Sequence, residues 1–186
     1  MQLRPHQETA LDALASNSKG QVIIPTGGGK TLVAIMDAAM ELDDYDTRHQ
    51  NKTIVVVAPR ILLAEQLSSE FLEIVQNVDV LHVHSGETHH TSTTNVDDIN
   101  YWYYTRDTDR IIFTTYHSLH RIQEANIKVN TIYFDEAHNG TQRNFIEAVK
   151  YFSIHADRCY FFTATPKHSL TPMKVGMNES DIFGEV

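Results

Sequence analysis

Two kinds of hydrophobic pattern alternate along this chain. Short apolar runs, such as 53–58 and 110–114, are typical of strands buried on both faces of a parallel sheet. Between them, apolar residues recur at every third or fourth position, as in a helix with one buried face. The predicted strands are 21–25, 53–58, 78–83, 110–114, 131–134 and 159–163. The predicted helices are 6–16, one that begins at residue 30, 63–74, one near 117–124, and 141–151. This alternation predicts an α/β fold, a mostly parallel sheet with helices on both faces.

The segment 85–109 is polar and has only weak periodicity. We interpret it as a long connection with room for one helix. Its aromatic cluster at 101–104 could stack on nucleic-acid bases or wedge a duplex. We favour the other interpretation, in which these rings pack the connection against the domain.

The composition fits one folded domain, because 186 residues with 41% hydrophobic content suffice for a single core. The single cysteine, Cys159, lies in an apolar run and is predicted to be a core residue. No signal peptide or membrane-spanning run is visible, so we expect an intracellular protein that is neither secreted nor membrane-bound. The net charge of −9 argues against tight nucleic-acid binding by this domain alone. A local basic strip or a partner domain could still provide the contacts.

A glycine-rich loop follows the first predicted strand and opens the second predicted helix. Three successive glycines allow a tight turn whose N–H groups can point at phosphate oxygens, next to the positive end of the helix dipole. Lys30 would reach the β- and γ-phosphates, and the Thr31 hydroxyl would hold Mg²⁺. The alternative is an ordinary glycine turn before a helix, and the first glycine of the usual pattern is replaced by Ile24. The candidate loop residues are Thr26, Gly27, Gly28, Gly29, Lys30 and Thr31.

Two acidic residues, Asp135 and Glu136, follow the predicted strand 131–134. Ligands of open parallel sheets bind at the carboxyl ends of the strands, where the glycine loop also lies. Asp135 would hold Mg²⁺, and Glu136 would orient and polarise an attacking water. The alternative is that both acids only cap the following helix. Together with the loop they predict a nucleoside-triphosphate site that uses Mg²⁺, in which Lys30, Asp135 and Glu136 are the catalytic residues.

The glycine loop and the sequence Asp135-Glu136-Ala137-His138 resemble superfamily 2 helicases and translocases, a group with RecA-like P-loop domains. The segment around Arg4, Pro5 and Gln7 looks most like the branch that contains XPB, phage UvsW and restriction-enzyme translocases. The resemblance covers nearly the whole chain and implies the first RecA-like domain of an ATP-dependent DNA helicase or translocase.

The resemblance also implies roles for further residues. Arg4 and Gln7 would recognise adenine, although Gln7 could be an ordinary solvated residue. His138, Thr163 and Thr165 would couple hydrolysis to movement, although the two threonines could form a plain turn. The residues expected to contact nucleic acid are Pro59, Arg60, Gln66, Gly86, Thr114, Thr115, Tyr116 and His117. For Arg60 the alternative is a surface cation, and for Thr114 and Thr115 it is a β-branched strand residue.

Four histidines, His82, His84, His89 and His90, raise the question of a metal site. No cysteine or acidic residue stands at a familiar ligand spacing from them. We therefore predict solvated loop histidines, one or two of them near nucleic acid.

The resemblance implies that residues 1–174 form the ATP-binding domain and that 175–186 begin an interdomain linker. We expect no second RecA-like domain in this sequence. In the family that second domain supplies an arginine finger, so we expect weak nucleotide binding and little ATPase activity from this chain alone. The expected partners are duplex or branched DNA and the second domain, and the expected state is a monomer. The alternatives are an RNA helicase domain, or a non-catalytic nucleotide-binding module if the chain is complete.

Overall fold

The computed structural model describes residues 2–25, 29–43, 51–86, 91–165 and 176–186. Within them lies one seven-stranded sheet in the order β1-β7-β6-β2-β5-β3-β4, in which every neighbouring pair is parallel. The strands are β1 Lys19–Ile23, β2 Thr53–Ala58, β3 Val78–Val83, β4 Thr91–Thr93, β5 Asp109–Thr115, β6 Thr131–Phe134 and β7 Arg158–Thr163. The predicted α/β fold with a parallel sheet is confirmed.

Helices cover both faces of the sheet, because the strand side chains feed two separate hydrophobic clusters. One cluster holds residues of the first three helices, such as Leu14, Val33 and Phe71. The other cluster holds residues of the later helices, such as Trp102 and Val149. The helices are α1 Pro5–Ser16, α2 Lys30–Leu42, α3 Ile61–Ile74, α4 Val96–Thr105, α5 Leu119–Ala125, α6 Ile146–His155 and α7 Ser180–Phe183.

The predicted connection 85–109 contains two regular elements. A helix, α4, occupies most of its second half, and β4 adds a short edge strand beside β3. Of the aromatic cluster, Trp102 is buried while Tyr101 and Tyr104 are exposed. The packing interpretation therefore holds for Trp102 but not for Tyr101 and Tyr104.

Several other predicted boundaries are displaced by a few residues. The first strand begins two residues earlier than predicted, at Lys19. The helix predicted at 141–151 begins only at Ile146, because residues 137–141 form a 3₁₀ turn instead. Cys159 is buried, as predicted.

The last described segment, 176–186, lies against the edge strand β1. The Gln21 amide donates to the carbonyls of Met177 and Gly184, at 2.6 and 3.0 Å. The predicted domain boundary at residue 174 lies outside the described residues. In the described part of the chain, no helix has both the length and the apolar character needed to cross a bilayer.

Candidate nucleotide and nucleic-acid sites

The strand order sorts the candidate residues into two groups along the carboxyl edge of the sheet. β1, β7 and β6 are neighbours, so Ile24 after β1, Thr163 at the end of β7 and Asp135 after β6 lie side by side. β2, β5 and β3 follow, and their ends carry the residues predicted to contact nucleic acid, except Gln66, which lies on α3. We call these two halves the nucleotide half and the strand half of the edge. This separation follows from the crossovers, and the order of the motifs along the chain does not reveal it.

Three charged residues meet at the centre of the nucleotide half. The Lys30 ammonium forms a short ion pair with Glu136 and lies 3.8 Å from the Asp135 carboxylate. Lys30 is the first residue of α2, and Asp135 and Glu136 follow β6 directly. The predicted catalytic residues are therefore adjacent. Thr31 is half-buried beside them, while Thr26, Gly27 and Gly28 lie outside the described residues.

Burial dominates the electrostatics of Asp135. The pKa of its carboxyl is raised from 3.8 to about 6, chiefly by desolvation; Lys30 lowers this pKa and Glu136 raises it. A buried carboxylate next to one cation and one anion binds a proton more readily than it does in water. A divalent cation would reverse this preference, because it favours the ionised form.

The segment at the start of α1 contacts the glycine loop. The Gln7 amide donates to the Gly29 carbonyl at 3.1 Å, and its oxygen accepts from the Arg4 backbone N–H at 2.8 Å. Gly29 has φ +76° and a Cβ there would collide with Gln7 and lie 2.9 Å from the Arg4 guanidinium. Gln7 is only 2% exposed, so it is not an ordinary solvated residue. The predicted adenine residues and the loop thus form one packed unit.

The residues predicted to couple hydrolysis to movement are connected by contacts. The His138 ring lies 3.8 Å from the Glu136 carboxylate and 3.0 Å from the Thr163 hydroxyl. The Thr165 backbone N–H donates to the same hydroxyl at 3.2 Å. Glu136 and His138 are partly exposed and Thr163 is fully buried, so this path leads from the acidic pair at the surface to the buried end of β7.

Glu136 has a backbone conformation that side chains rarely adopt, with φ +47°. Such left-handed residues cost about 1–2 kcal/mol and concentrate at functional sites. Here the conformation joins β6 to the 3₁₀ turn and leaves Glu136 beside Lys30.

On the strand half, the candidates differ in exposure. Arg60, Gln66 and His117 are exposed, and Pro59 and Gly86 are half-buried. The side chains of Thr114, Thr115 and Tyr116 are buried at 0%, 3% and 2% exposure. The structure therefore does not support direct contact between nucleic acid and these three side chains.

The buried Thr114 and Tyr116 hydroxyls instead donate hydrogen bonds to backbone carbonyls of other segments. The Thr114 hydroxyl donates to the Val83 carbonyl at 2.7 Å. The Tyr116 hydroxyl donates to the Asp135 carbonyl at 2.8 Å, which joins the strand half to the nucleotide half. Its neighbour His117 packs edge-on against Phe145 at the surface.

The histidine prediction is wrong for the two described members. His82 and His84 are each only 1% exposed, and their rings are hydrogen-bonded to each other at 3.0 Å. The spacing of two residues on a strand, which puts both rings on one face, could have indicated this pairing. His89 and His90 lie outside the described residues.

The nucleotide half fits a Mg²⁺–nucleotide complex by the chemistry of its groups. It offers an ammonium for phosphate, a hydroxyl and a carboxylate for a hard cation, and a second carboxylate for water. Among the described residues, no cluster of three or more His, Cys, Asp or Glu side chains could hold a metal ion. That is expected for Mg²⁺, which keeps waters and takes further ligands from phosphates.

Residues 1–168 match the family described as "Type III restriction enzyme, res subunit". The chain belongs to this family. It matches no curated protein at a significant level. By family and fold it is a RecA-like domain of the superfamily 2 helicase type, as predicted.

Solved structures share the fold at low sequence identity. The chain aligns over its full length with a nuclease-deletion mutant of the type ISP restriction-modification enzyme LlaGI in complex with a DNA substrate mimic, with TM-score 0.79 and 22% identity, and covers 19% of that chain. It also aligns over its full length with the UvsW helicase from bacteriophage T4, with TM-score 0.67 and 18% identity, covering 59% of that chain. The Pyrococcus furiosus Hef helicase domain aligns with 98% of this chain, with TM-score 0.67 and 22% identity. The aligned part is 37% of the Hef chain. The res-family chain thus spans a fraction of each of these proteins.

Proposed function

We propose that this res-family domain binds and hydrolyses ATP as the first motor domain of a DNA helicase or translocase, and that a second RecA-like domain completes it. The observation that carries the proposal is the meeting of Lys30, Asp135 and Glu136 at the ends of neighbouring elements. The family match supports a motor role. The alternative of a non-catalytic module has no observation in its favour.

The candidate residues of this chain would each contact a defined part of the Mg²⁺–nucleotide complex. The glycine loop, including Thr26, Gly27, Gly28 and Gly29, and Lys30 would bind the phosphates, and Thr31 and Asp135 would hold Mg²⁺. Mg²⁺, when bound, neutralises negative charge on the phosphates. Arg4 and Gln7, packed on Gly29, would bind the adenine side.

The ion pair between Lys30 and Glu136 is the arrangement from which nucleotide binding would start. Lys30 would leave Glu136 to bind a phosphate, and the released Glu136 carboxylate would then orient a water and accept its proton. His138 lies beside Glu136 and bonds to Thr163, so a change at Glu136 would reach Thr163 and Thr165.

Nucleic acid would lie along the strand half, near the exposed residues Arg60, Gln66 and His117 and the turns at Pro59 and Gly86. Arg60 provides a phosphate contact without base recognition. DNA is favoured over RNA because the LlaGI structure contains a DNA substrate mimic. We also propose that 175–186 leads into the linker to the second domain and that the domain acts as a monomer.

Paired substitutions test this assignment. Lys30→Ala should weaken binding of a fluorescent ATP analogue in Mg²⁺ by at least about tenfold, since charge-assisted bonds to phosphate are worth about 1.5–3 kcal/mol. Glu136→Gln should keep that affinity but abolish ATP turnover in a protein that carries both motor domains. Lys128→Ala, at an exposed ion pair with Asp157, is the matched control and should change neither quantity.

Three results would contradict parts of the proposal. Normal hydrolysis by Glu136→Gln would exclude its role with water. Robust nucleic-acid-stimulated turnover by the 186-residue chain alone would exclude the need for a second domain. Stronger stimulation of the two-domain protein by RNA than by single-stranded or branched DNA would favour an RNA helicase.

A further inference from the structure

A buried pair of histidines stands beside the strand half and has no role in the nucleotide site. His82 lies in β3 and His84 follows its end, and both are 1% exposed. Buried imidazoles need hydrogen-bond partners on both ring nitrogens, because an unpaired polar atom in the interior is destabilising. The partners of these rings connect α3 to the turn at 84–86.

The hydrogen bonds of this histidine pair fix which ring nitrogens donate and which accept. The Gly86 backbone N–H donates to His84 Nδ1 at 3.0 Å, so that nitrogen must be an acceptor. A neutral His84 then carries its proton on Nε2 and donates it to His82 Nδ1, at 3.0 Å. A neutral His82 in turn donates from Nε2 to the Ser68 hydroxyl at 3.2 Å. Only one tautomer of each ring satisfies the whole chain of bonds.

The same turn is held from its other side. The Ser92 hydroxyl lies 2.7 Å from the Gly86 carbonyl and 3.2 Å from the His84 carbonyl. A Cβ on Gly86 would lie 2.6 Å from Ile61, the first residue of α3, which Arg60 precedes. Both backbone groups of Gly86 are thus engaged within the protein, at a position next to Arg60.

We propose that Ser68, His82 and His84 form a latch on the Gly86 amide, and that opening of this latch offers the amide to a nucleic-acid phosphate. The inference rests on the proposed binding of nucleic acid along the strand half. His82 and His84 are positioning residues, because they act through the backbone of Gly86. A second proton on His84 removes the acceptor at Nδ1, so the closed latch requires a neutral ring and protonation opens it.

The surroundings of the pair favour the closed latch at neutral pH. Burial lowers the pKa of His84 below its ordinary value, and Glu65 on α3 opposes that change only in part. Among the described residues, Phe113 on β5 stacks on His82 at 5.4 Å, and the Ser92 hydroxyl on β4 contacts the backbone of the turn. The positive charge of a protonated His84 would also attract phosphate.

Two substitutions at one position separate a latch from a merely structural pair. Asn presents an acceptor oxygen close to where Nδ1 lies but cannot take up a proton, whereas Ala has no acceptor. Binding of a fluorescein-labelled branched DNA to the 186-residue chain would be measured by anisotropy at low salt, at pH 7.5 and pH 5.5. At pH 7.5, His84→Ala should bind about three- to tenfold more tightly than wild type, as expected when one internal hydrogen bond no longer has to be broken. His84→Asn should stay within about twofold of wild type.

The pH profile supplies an independent test that does not need the Ala variant to fold. Wild type should gain at least about threefold more affinity than His84→Asn between pH 7.5 and pH 5.5. His155→Asn, which replaces an exposed histidine on α6, should keep the wild-type gain. Hydrogen exchange of the Gly86 amide should be slow in wild type and His84→Asn and fast in His84→Ala.

Two outcomes would overturn the inference, and they can be told apart. DNA binding that Arg60→Ala weakens, but that is equal in wild type and both His84 variants, would exclude the latch and leave the proposed function intact. Absence of DNA binding by wild type at both pH values would instead refute nucleic-acid binding by this domain, and the latch with it.

Discussion

At the scale of single residues, Asp135 shows a conflict between folding and function. In the proposed function its carboxyl holds Mg²⁺ in the charged form, yet burial raises its pKa to about 6. Lys30, 3.8 Å away, does not compensate fully because it is paired closely with Glu136. Polar sites that serve a ligand are often suboptimal for stability before the ligand binds.

This conflict predicts a pH-dependent cost. The folded pKa lies above the unfolded value of 3.8, so between about pH 4 and pH 6 the folded state binds more protons, and the free energy of unfolding falls as pH rises. Asp135→Asn cannot ionise and should therefore be more stable than wild type by about 1–2 kcal/mol at pH 7.5, with the difference shrinking towards pH 4. Urea denaturation in EDTA measures both quantities.

The control for that experiment is Asp107→Asn, which removes an exposed carboxylate and should leave stability nearly unchanged. A wild-type domain that becomes more stable between pH 4.5 and pH 6.5 relative to Asp135→Asn would show that ionised Asp135 stabilises the fold. The substitution should also weaken binding of the ATP analogue in Mg²⁺.

At the scale of elements, periodicity predicted the parts with strong hydrophobic signals and missed the others. The run 53–58 is wholly buried, and its β-branched residues identify it as a central strand. Thr91–Thr93 is short, polar and partly exposed, so an edge strand there has no hydrophobic signal. Glycine, lysine and acidic residues predicted the nucleotide half, but the burial of Thr114, Thr115 and Tyr116 depends on neighbours distant in sequence.

A buried ionic cluster anchors the helix that carries Lys30. The Arg158 guanidinium, on β7, binds Asp37 at 2.7 Å and Glu41 at 2.9 Å, and both acids lie on α2. Asp37 is only 4% exposed and also bonds to the Tyr133 hydroxyl. The amino end of α2 is therefore positioned by contacts made two to three turns further along the helix.

Arg158→Met should destabilise the domain by about 3–5 kcal/mol, because it leaves the buried Asp37 charge without its partner. The double variant Arg158→Met with Asp37→Asn should recover part of this loss, since the uncompensated charge is then gone. Denaturation by guanidinium chloride or urea measures the loss of stability in the single variant and its recovery in the double variant. Arg121→Met, at an exposed pair with Glu124, is the matched control and should cost under about 1 kcal/mol. Equal effects of the two arginine substitutions would mean that the cluster does not anchor α2.

At the scale of the whole molecule, the parallel sheet places two sites on one edge and joins them through its interior. The nucleotide half occupies the ends of β1, β7 and β6, and the strand half the ends of β2, β5 and β3. The Tyr116 hydroxyl bonds to the Asp135 carbonyl across the boundary. A motor requires that binding at one site is sensed at the other. Besides the Tyr116 bond, the Asp135 backbone N–H donates to the Val57 carbonyl of β2 at 2.8 Å, so Asp135 contacts the strand half at two points.

The segment 176–186 packs against the edge of the sheet, at the amino end of β1 and on β7. Its Phe183 is fully buried and its ring is tilted against that of Phe161, with centroids 4.7 Å apart. Its Glu185 carbonyl accepts from the Gln21 backbone N–H at 2.6 Å. Phe183→Ala should therefore destabilise the whole domain by about 3–5 kcal/mol, as removal of a core phenylalanine does. Val186→Ala, at 78% exposure, is the control and should change stability by less than about 0.5 kcal/mol.

Thermal and urea unfolding should show one cooperative transition that shifts as a unit. A separate early transition in Phe183→Ala would mean that the segment unfolds independently of the sheet.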